Sequence, residues 1–313
     1  MHGEIIEYLS SRKMLIDKRI NEWLNDLGLI GDFIKRIFEG GKRFRSLLTI
    51  LVGESLNIPC NETLDYATAI EFIHNATLIH DDIIDKHELR RGKTSLWKIL
   101  GLHDAIIFGD VLFSYAGYKL SKISLEALNV LSNTIYLVTK GVYMETHPLE
   151  VHEKTSDLYL LINRFKTAEL FGAATKLGSL PVDDEALQED AYMYGIALGE
   201  AYQLADDLVD VKALLNGSKN LDLKPIKLLI AFLSKDDKLL KELFEENITV
   251  EVMRTYIVEL KADEQLKELI DEKLEITAEC LSGFPENKLK MYLKAMPKLM
   301  VEAMINEAEK IRL

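Results

Sequence analysis

The chain has 313 residues and is 48% apolar, so it can bury a large core. Its formal net charge of −13 argues against nucleic acid as a partner, and means that any polyanion must be held by local cations or metal ions. Only Cys60 and Cys280 are present, 220 positions apart; this is no disulfide framework or zinc site, and both are read as buried small residues.

Helix formers dominate, prolines number six, and few alternating runs are bounded by turns, so an all-α fold is expected. The N-terminal "MHGEIIEYLSSRK" has no long apolar core with a cleavage site, and no stretch of about 18 uncharged apolar residues follows. A cytoplasmic protein without stable membrane insertion is the expectation. In chain order, residues 4–27 read as an amphipathic helix ended by "GLIGD". Gly40 and Gly41 break the chain again, with a helix expected directly after them. Residues 61–91 contain no Gly or Pro, enough for about eight helical turns, broken near the charged end. Helical periodicity returns at 104–121, 125–146, 157–177, 184–215 and 222–235. The last third reads as shorter helices with boundaries near Pro285 and Pro297. No linker composition appears, so residues 1–313 are expected to form a single all-helical domain.

"HDDIID" at 80–85 is echoed by "ADDLVD" at 205–210, with the first aspartates 125 positions apart. On a helix, Asp81 and Asp85 share a face, as do Asp206 and Asp210, and like charges at that spacing repel. A divalent cation reverses the sign, and magnesium combines carboxylates with water and substrate phosphate oxygens. The plainer alternative is a solvated acidic face; the repetition of the pattern in two apolar helices favours metal. No glycine-centred EF-hand loop is present. Glu71-x-x-His74 has di-iron spacing, but no second such motif accompanies it.

"GGKRFRS" places Lys42, Arg43 and Arg45 after two glycines at a helix start, which suits a phosphate or an ordinary basic helix start. "LRRGK" follows the first aspartate cluster, so Arg90 and Arg91 would complete an anion-binding mouth with the acids and metal. His74, seven residues before Asp81, shares its face and is read as a binding residue; His80 points elsewhere and is read as structural. Gly195 and Gly199 are read as permitting close helix packing.

Four stretches, "GGKRFR", "EFIHNATLIHDDIIDKHELRRGK", "FKTAELF" and "AYQLADDLVD", lie in order over residues 40–210. Together they resemble the trans-isoprenyl diphosphate synthases of the polyprenyl synthetase family, in the manner of geranylgeranyl diphosphate synthases. The resemblance implies a large helical bundle around a deep central cavity and a homodimer. It implies that isopentenyl diphosphate is condensed with allylic diphosphates, with three magnesium ions bound together with the allylic diphosphate. Lys42, Arg45, His74 and Arg91 would hold isopentenyl diphosphate. Asp81 and Asp85 would bind magnesium, and Arg90 the allylic diphosphate. Asp206 would hold a further ion with Asp210 nearby, while Asp82 and Asp207 are weaker ligand candidates. Lys166, Thr167 and Gln203 would line the allylic site near the developing cation.

Two departures stand out. Ser46 replaces the family's usual proline, and "NGSKNLDLKPIKLL" shortens the segment after the second cluster, leaving Lys219 and Lys224 as stand-ins for two diphosphate-binding lysines. Ala76 and Thr77 precede Asp81, where an aromatic would stop the growing chain; Ile73, Phe72 and Ile70 lie deeper as a possible floor. The expected product therefore has twenty carbons or more, geranylgeranyl diphosphate first. A non-catalytic or weakly active partner subunit and a class I terpene cyclase are the alternatives.

Overall fold

The computed structural model describes residues 2–90, 92–149, 157–218, 222–245 and 248–310. These residues are all-α apart from one hairpin of two-residue strands. They divide into two compact units, one of Met1–Ile135, Ala173–Tyr192 and Phe284–Leu293, the other of Tyr136–Gly172, Met193–Gly283 and Lys294–Leu313. No helix of the described residues is long and apolar enough to cross a membrane.

The first unit begins with α1 (His2–Asp26), α2 (Leu29–Ile34) and a 3₁₀ turn (Lys35–Phe38). The break in "GLIGD" falls at Gly28, whose φ is +57°. Gly31, in contrast, lies inside α2, where a Cβ would sit 1.9 Å from the Leu24 carbonyl oxygen. Its lack of a side chain serves close approach, not chain reversal. Next come α3 (Phe44–Ser55) and α4 (Cys60–Ile84). Helix α4 packs against α1, α3 and α6 (Leu102–Ser121), so it is apolar almost all round. Phe72 is fully buried, its ring centroid 5.2 Å from Trp23, 5.0 Å from Phe38 and 6.0 Å from Tyr115. Helix α4 stops at Ile84, short of the charged end of 61–91. Lys86 at φ +56° turns the chain, and Gly92 at φ +73° sits in the hairpin of β1 (Leu89–Arg90) and β2 (Lys93–Thr94). Helix α5 (Leu96–Leu100) follows, then α6 and α7 (Leu125–Thr146).

Arg43 ties these elements together. It caps α3 at φ +61° and is 6% exposed. Its Nε donates to Asp17 Oδ1 at 2.8 Å, its Nη1 to Glu71 Oε2 at 3.2 Å, and its Nη2 to the Phe38 carbonyl. Glu71 therefore sits in an apolar helix because it meets a buried guanidinium, which accounts for its place in the Glu-x-x-His spacing. Ser46, where the resemblance leads one to expect proline, is buried and donates from Oγ to the Ala67 carbonyl at 2.6 Å, joining α3 to α4.

The second unit takes up the rest of α7, then α8 (Leu158–Asn163), a π turn (Arg164–Ala168), the first turn of α9 (Glu169–Ser179), whose remainder belongs to the first unit, and α10 (Glu185–Leu215) from Met193 onward. The segment 157–177 reads as one helix by periodicity, but the π turn interrupts it. Gly141 of α7 and Gly199 of α10 press on that turn: a Cβ on Gly141 would lie 2.6 Å from Lys166 N, and one on Gly199 2.5 Å from Ala168 Cα. Helices α11 (Lys224–Ser234), α12 (Asp237–Glu245), α13 (Val250–Glu259) and α14 (Ala262–Glu279) follow. They bury Leu229, Leu243, Met253 and Leu266 with Leu204 and Leu208 of α10. Pro297 does not bound a helix; it lies inside α15 (Lys288–Lys310). The buried Met296, Met300 and Val301 keep that helix running past the missing amide. Cys60 and Cys280 carry free thiols and are half-buried, not buried.

A Cβ at Gly178, the inward side of α9, would lie 2.3 Å from the Thr49 carbonyl oxygen. Gly178→Ala is expected to cost about 1–3 kcal/mol by forcing α3 and α9 apart. Arg43→Ala is expected to cost about 3–5 kcal/mol, because Glu71 is left buried and uncompensated. Thermal unfolding of both variants checks this; an unchanged midpoint for Arg43→Ala would contradict the role given to it.

Candidate active site

Burial along the middle of α4 gives way at His74, Thr77, Leu78, Asp81 and Asp85. These positions follow helical spacing, so they form one open stripe along a helix whose middle is otherwise enclosed, while His80, Ile83 and Ile84 are open as well towards its end. Arg45 of α3 reaches the stripe, with Nη1 3.5 Å from His74 Nε2. Lys42 is exposed on the loop before α3, its Nζ 5.5 Å from the Phe44 ring centroid. The basic motif thus alternates: Lys42 points outward, Arg43 inward, and Arg45 toward His74.

Asp82 lies off the stripe and is buried. Arg90 of β1 donates to its Oδ1 from Nε at 2.8 Å and from Nη2 as well. The hairpin that carries Arg90 pairs Leu89 with Thr94 and Arg90 with Lys93. It is held by Lys93 Nζ on Glu39 at 2.6 Å, and Trp97 Nε1 donates to the His87 carbonyl at 2.8 Å. Arg91 and Lys219 lie outside the described residues. His80 rests on α6, its Nε2 3.2 Å from the Ile106 carbonyl oxygen and packed over Gly109. Ala76, Phe72 and Ile73 are fully enclosed, whereas Thr77 lies on the stripe and donates to the His74 carbonyl at 2.8 Å.

In the second unit, Asp206 and Asp210 of α10 are each partly exposed, one turn apart. Burial, with Asp210 next, pushes the Asp206 carboxyl up to about 6, against the pull of Lys166 and a Gln203 hydrogen bond. Asp207 is 5% exposed and is likewise pushed up to about 6 by burial, opposed first by the Tyr159 hydroxyl. Tyr159 OH donates to Asp207 Oδ2 at 2.5 Å, Asn163 Nδ2 to the same oxygen at 3.3 Å, and Gln203 Nε2 to Oδ1 at 3.1 Å. Gln203 Oε1 accepts from Thr167 Oγ1 at 2.7 Å, and Lys166 Nζ donates to the buried Glu145 at 2.5 Å. Lys166, Thr167 and Gln203 are thereby gathered beside the second cluster. Lys224 stands at the first position of α11, its amide capped by Asp222 Oδ1 at 3.0 Å.

Sequence reasoning missed Glu145, Tyr159 and Asn163. Glu145 is an acid at a buried position of α7, and Tyr159 and Asn163 share a helical face at i and i+4; both were visible signals of a buried polar partner elsewhere.

A model of the polyprenyl synthetase family matches residues 28–257. Over 222 residues, 68% of each chain, the protein is 32% identical to octaprenyl diphosphate synthase of Escherichia coli (strain K12). A decaprenyl diphosphate synthase from Rhodobacter capsulatus shares the fold, with a TM-score of 0.85 and 23% identity over 97% of this chain and 99% of that one. A geranylgeranyl pyrophosphate synthetase from the archaeon Geoglobus acetivorans gives a TM-score of 0.80 at 26% identity, over 94% and 99% of the two chains. The basic loop, both aspartate clusters and the Lys166-Thr167 turn all fall inside the matched span, and the chain belongs to the polyprenyl synthetase family.

Proposed function

We propose that the protein condenses isopentenyl diphosphate with an allylic prenyl diphosphate, head to tail, giving an all-trans product of geranylgeranyl length or longer. The observation that carries this reading is the open stripe on α4, where His74, Asp81 and Asp85 lie in line and Arg45 adjoins His74. Cations set against paired carboxylates suit a diphosphate whose charge is shared with metal.

The fit of a divalent cation can be judged from the second cluster. Asp210 helps push Asp206 up to about 6, a like-charge repulsion that a divalent cation relieves. Among the described residues no three His, Cys, Asp or Glu side chains converge into a protein-only cage. Magnesium is commonly held by one or two carboxylates with substrate phosphates, so Asp81 with Asp85 and Asp206 with Asp210 are its proposed holders. When bound, it offsets the charge that grows on the departing diphosphate.

The remaining roles fall to the chain's own groups. Lys42, Arg45, His74 and Arg91 would fix the diphosphate of isopentenyl diphosphate, and Arg90 that of the allylic substrate. Lys166, Thr167 and Gln203 would line the allylic carbon, and Lys219 and Lys224 would contact diphosphate. The alkene then attacks the allylic cation and a proton leaves to the departed diphosphate. Apolar helix faces keep water from the cation. The same reading takes residues 1–313 as one domain, in a cytoplasmic homodimer. The exposed Leu102, Ile106 and Ile107 of α6 are consistent with a partner surface.

The test is incubation with magnesium, labelled isopentenyl diphosphate and dimethylallyl, geranyl, farnesyl or geranylgeranyl diphosphate, followed by sizing of products. A ladder ending at geranylgeranyl diphosphate or beyond is expected. No product from folded protein with any primer would overturn the reading in favour of a partner subunit. Asp81→Asn is expected to lower kcat by about 10²-fold or more, as loss of a charge-stabilising group does. Ala76→Phe is expected to shorten the product, and an unchanged ladder would remove Ala76 from chain-length control.

A further inference from the structure

We infer that Tyr159 is a positioning residue for the second aspartate cluster, acting through Asp207. The inference rests on the reading of Asp206 and Asp210 as metal holders. Asp207 follows Asp206 directly, so its side chain leaves the helix in a different direction. It is buried, and a buried carboxylate is tolerated only when its lone pairs are taken up. The hydrogen bonds it accepts come from neutral groups, the hydroxyl of Tyr159 and the amides of Asn163 and Gln203.

Of these the Tyr159 bond is the shortest, at 2.5 Å against 3.1 and 3.3 Å. Its donor is also the best fixed. Tyr159 is 3% exposed and its ring centroid lies 5.2 Å from that of Phe232, so the hydroxyl has one direction available. The consequence runs onward. With Asp207 held, Gln203 must present its amide nitrogen to Oδ1, which leaves its carbonyl oxygen to accept from Thr167 at 2.7 Å. Gln203 lies three positions before Asp206 on α10, so the two side chains are neighbours on the helix surface. One hydroxyl on α8 therefore sets the direction of Asp207, the amide orientation of Gln203 and, through it, the surroundings of Asp206 and Thr167. Asp207 is turned to the protein, while Asp206 and Asp210, one turn apart, are partly exposed and are the pair read as holding a cation.

A purely structural Tyr159 would add stability and nothing else, and the experiment separates the two. In the full chain, Tyr159→Phe keeps the ring and removes the hydroxyl. Manganese affinity is read by electron paramagnetic resonance in the presence of inorganic pyrophosphate, and the KM for isopentenyl diphosphate is read separately. The expected result is a rise of about 10–100-fold in the manganese Kd, the usual range for lost support behind a metal ligand, with an unchanged KM for isopentenyl diphosphate. Because the effect passes through Asp207, adding Tyr159→Phe to Asp207→Asn is expected to bring little further loss. Unaltered manganese affinity in folded Tyr159→Phe, or full additivity in the double variant, overturns the inference. If Tyr159→Phe does not fold, Asn163→Ala, which removes the weaker donor to the same oxygen, is expected to shift the Kd in the same direction by less; no shift overturns the inference. Absence of manganese binding by the unaltered chain overturns the metal reading too. Binding by the unaltered chain with no change in the variant overturns this inference alone.

Discussion

The contact on which the first unit depends is the buried pairing of Arg43 with Glu71 and Asp17. A carboxylate on a helix enclosed by α1, α3 and α6 needs a cation brought to it, because its desolvation is not offset otherwise. The cation comes from the loop after Gly40, and it arrives with Arg43 in a left-handed conformation. That one approach decides the directions of its neighbours. Lys42 is turned to solvent, and α3 starts at a height on α4 that brings Arg45 to His74. Two glycines and a basic run, unremarkable as composition, become a binding loop because the middle residue is used up holding the loop in place.

The two aspartate clusters are near copies in sequence but are solved differently in space. In the first, the middle aspartate is met by a guanidinium, Arg90 on Asp82. In the second, Asp207 is met by a hydroxyl and two amides. A cation cancels charge; neutral donors only share it. The charge of the middle aspartate is therefore left uncancelled in the second cluster, where burial first and then Asp210 raise the Asp206 carboxyl. Equal motifs need not have equal electrostatics.

Much of the architecture was legible in the sequence because periodicity reports burial of a face. The extents of α1, α6, α7 and α10 follow it within a few residues. The alignment of His74, Asp81 and Asp85 on α4 was likewise a matter of counting turns. What escaped depends on partners distant along the chain. The π turn at Arg164–Ala168 fits against Gly141 and Gly199 of other helices, and the helical course through Pro297 is maintained by buried methionines. The Glu71 carboxylate showed a di-iron spacing that was set aside for want of a second motif, and its true partner, an arginine 28 positions away, was not legible. Tyr159 shared a helical face with Asn163, but its partner Asp207, 48 positions away, was not legible. Local propensity carries no record of such pairs.

The contact between His80 and Gly109 has a consequence for how this sequence can drift. A methyl at position 109 would stand 2.2 Å from His80 Nε2, so the imidazole occupies the volume that a side chain on α6 would need. Positions 80 and 109 therefore share one space: a side chain at 109 requires the imidazole to swing off the Ile106 carbonyl or to give way to something smaller, and related chains with bulk at 109 should show that change at 80.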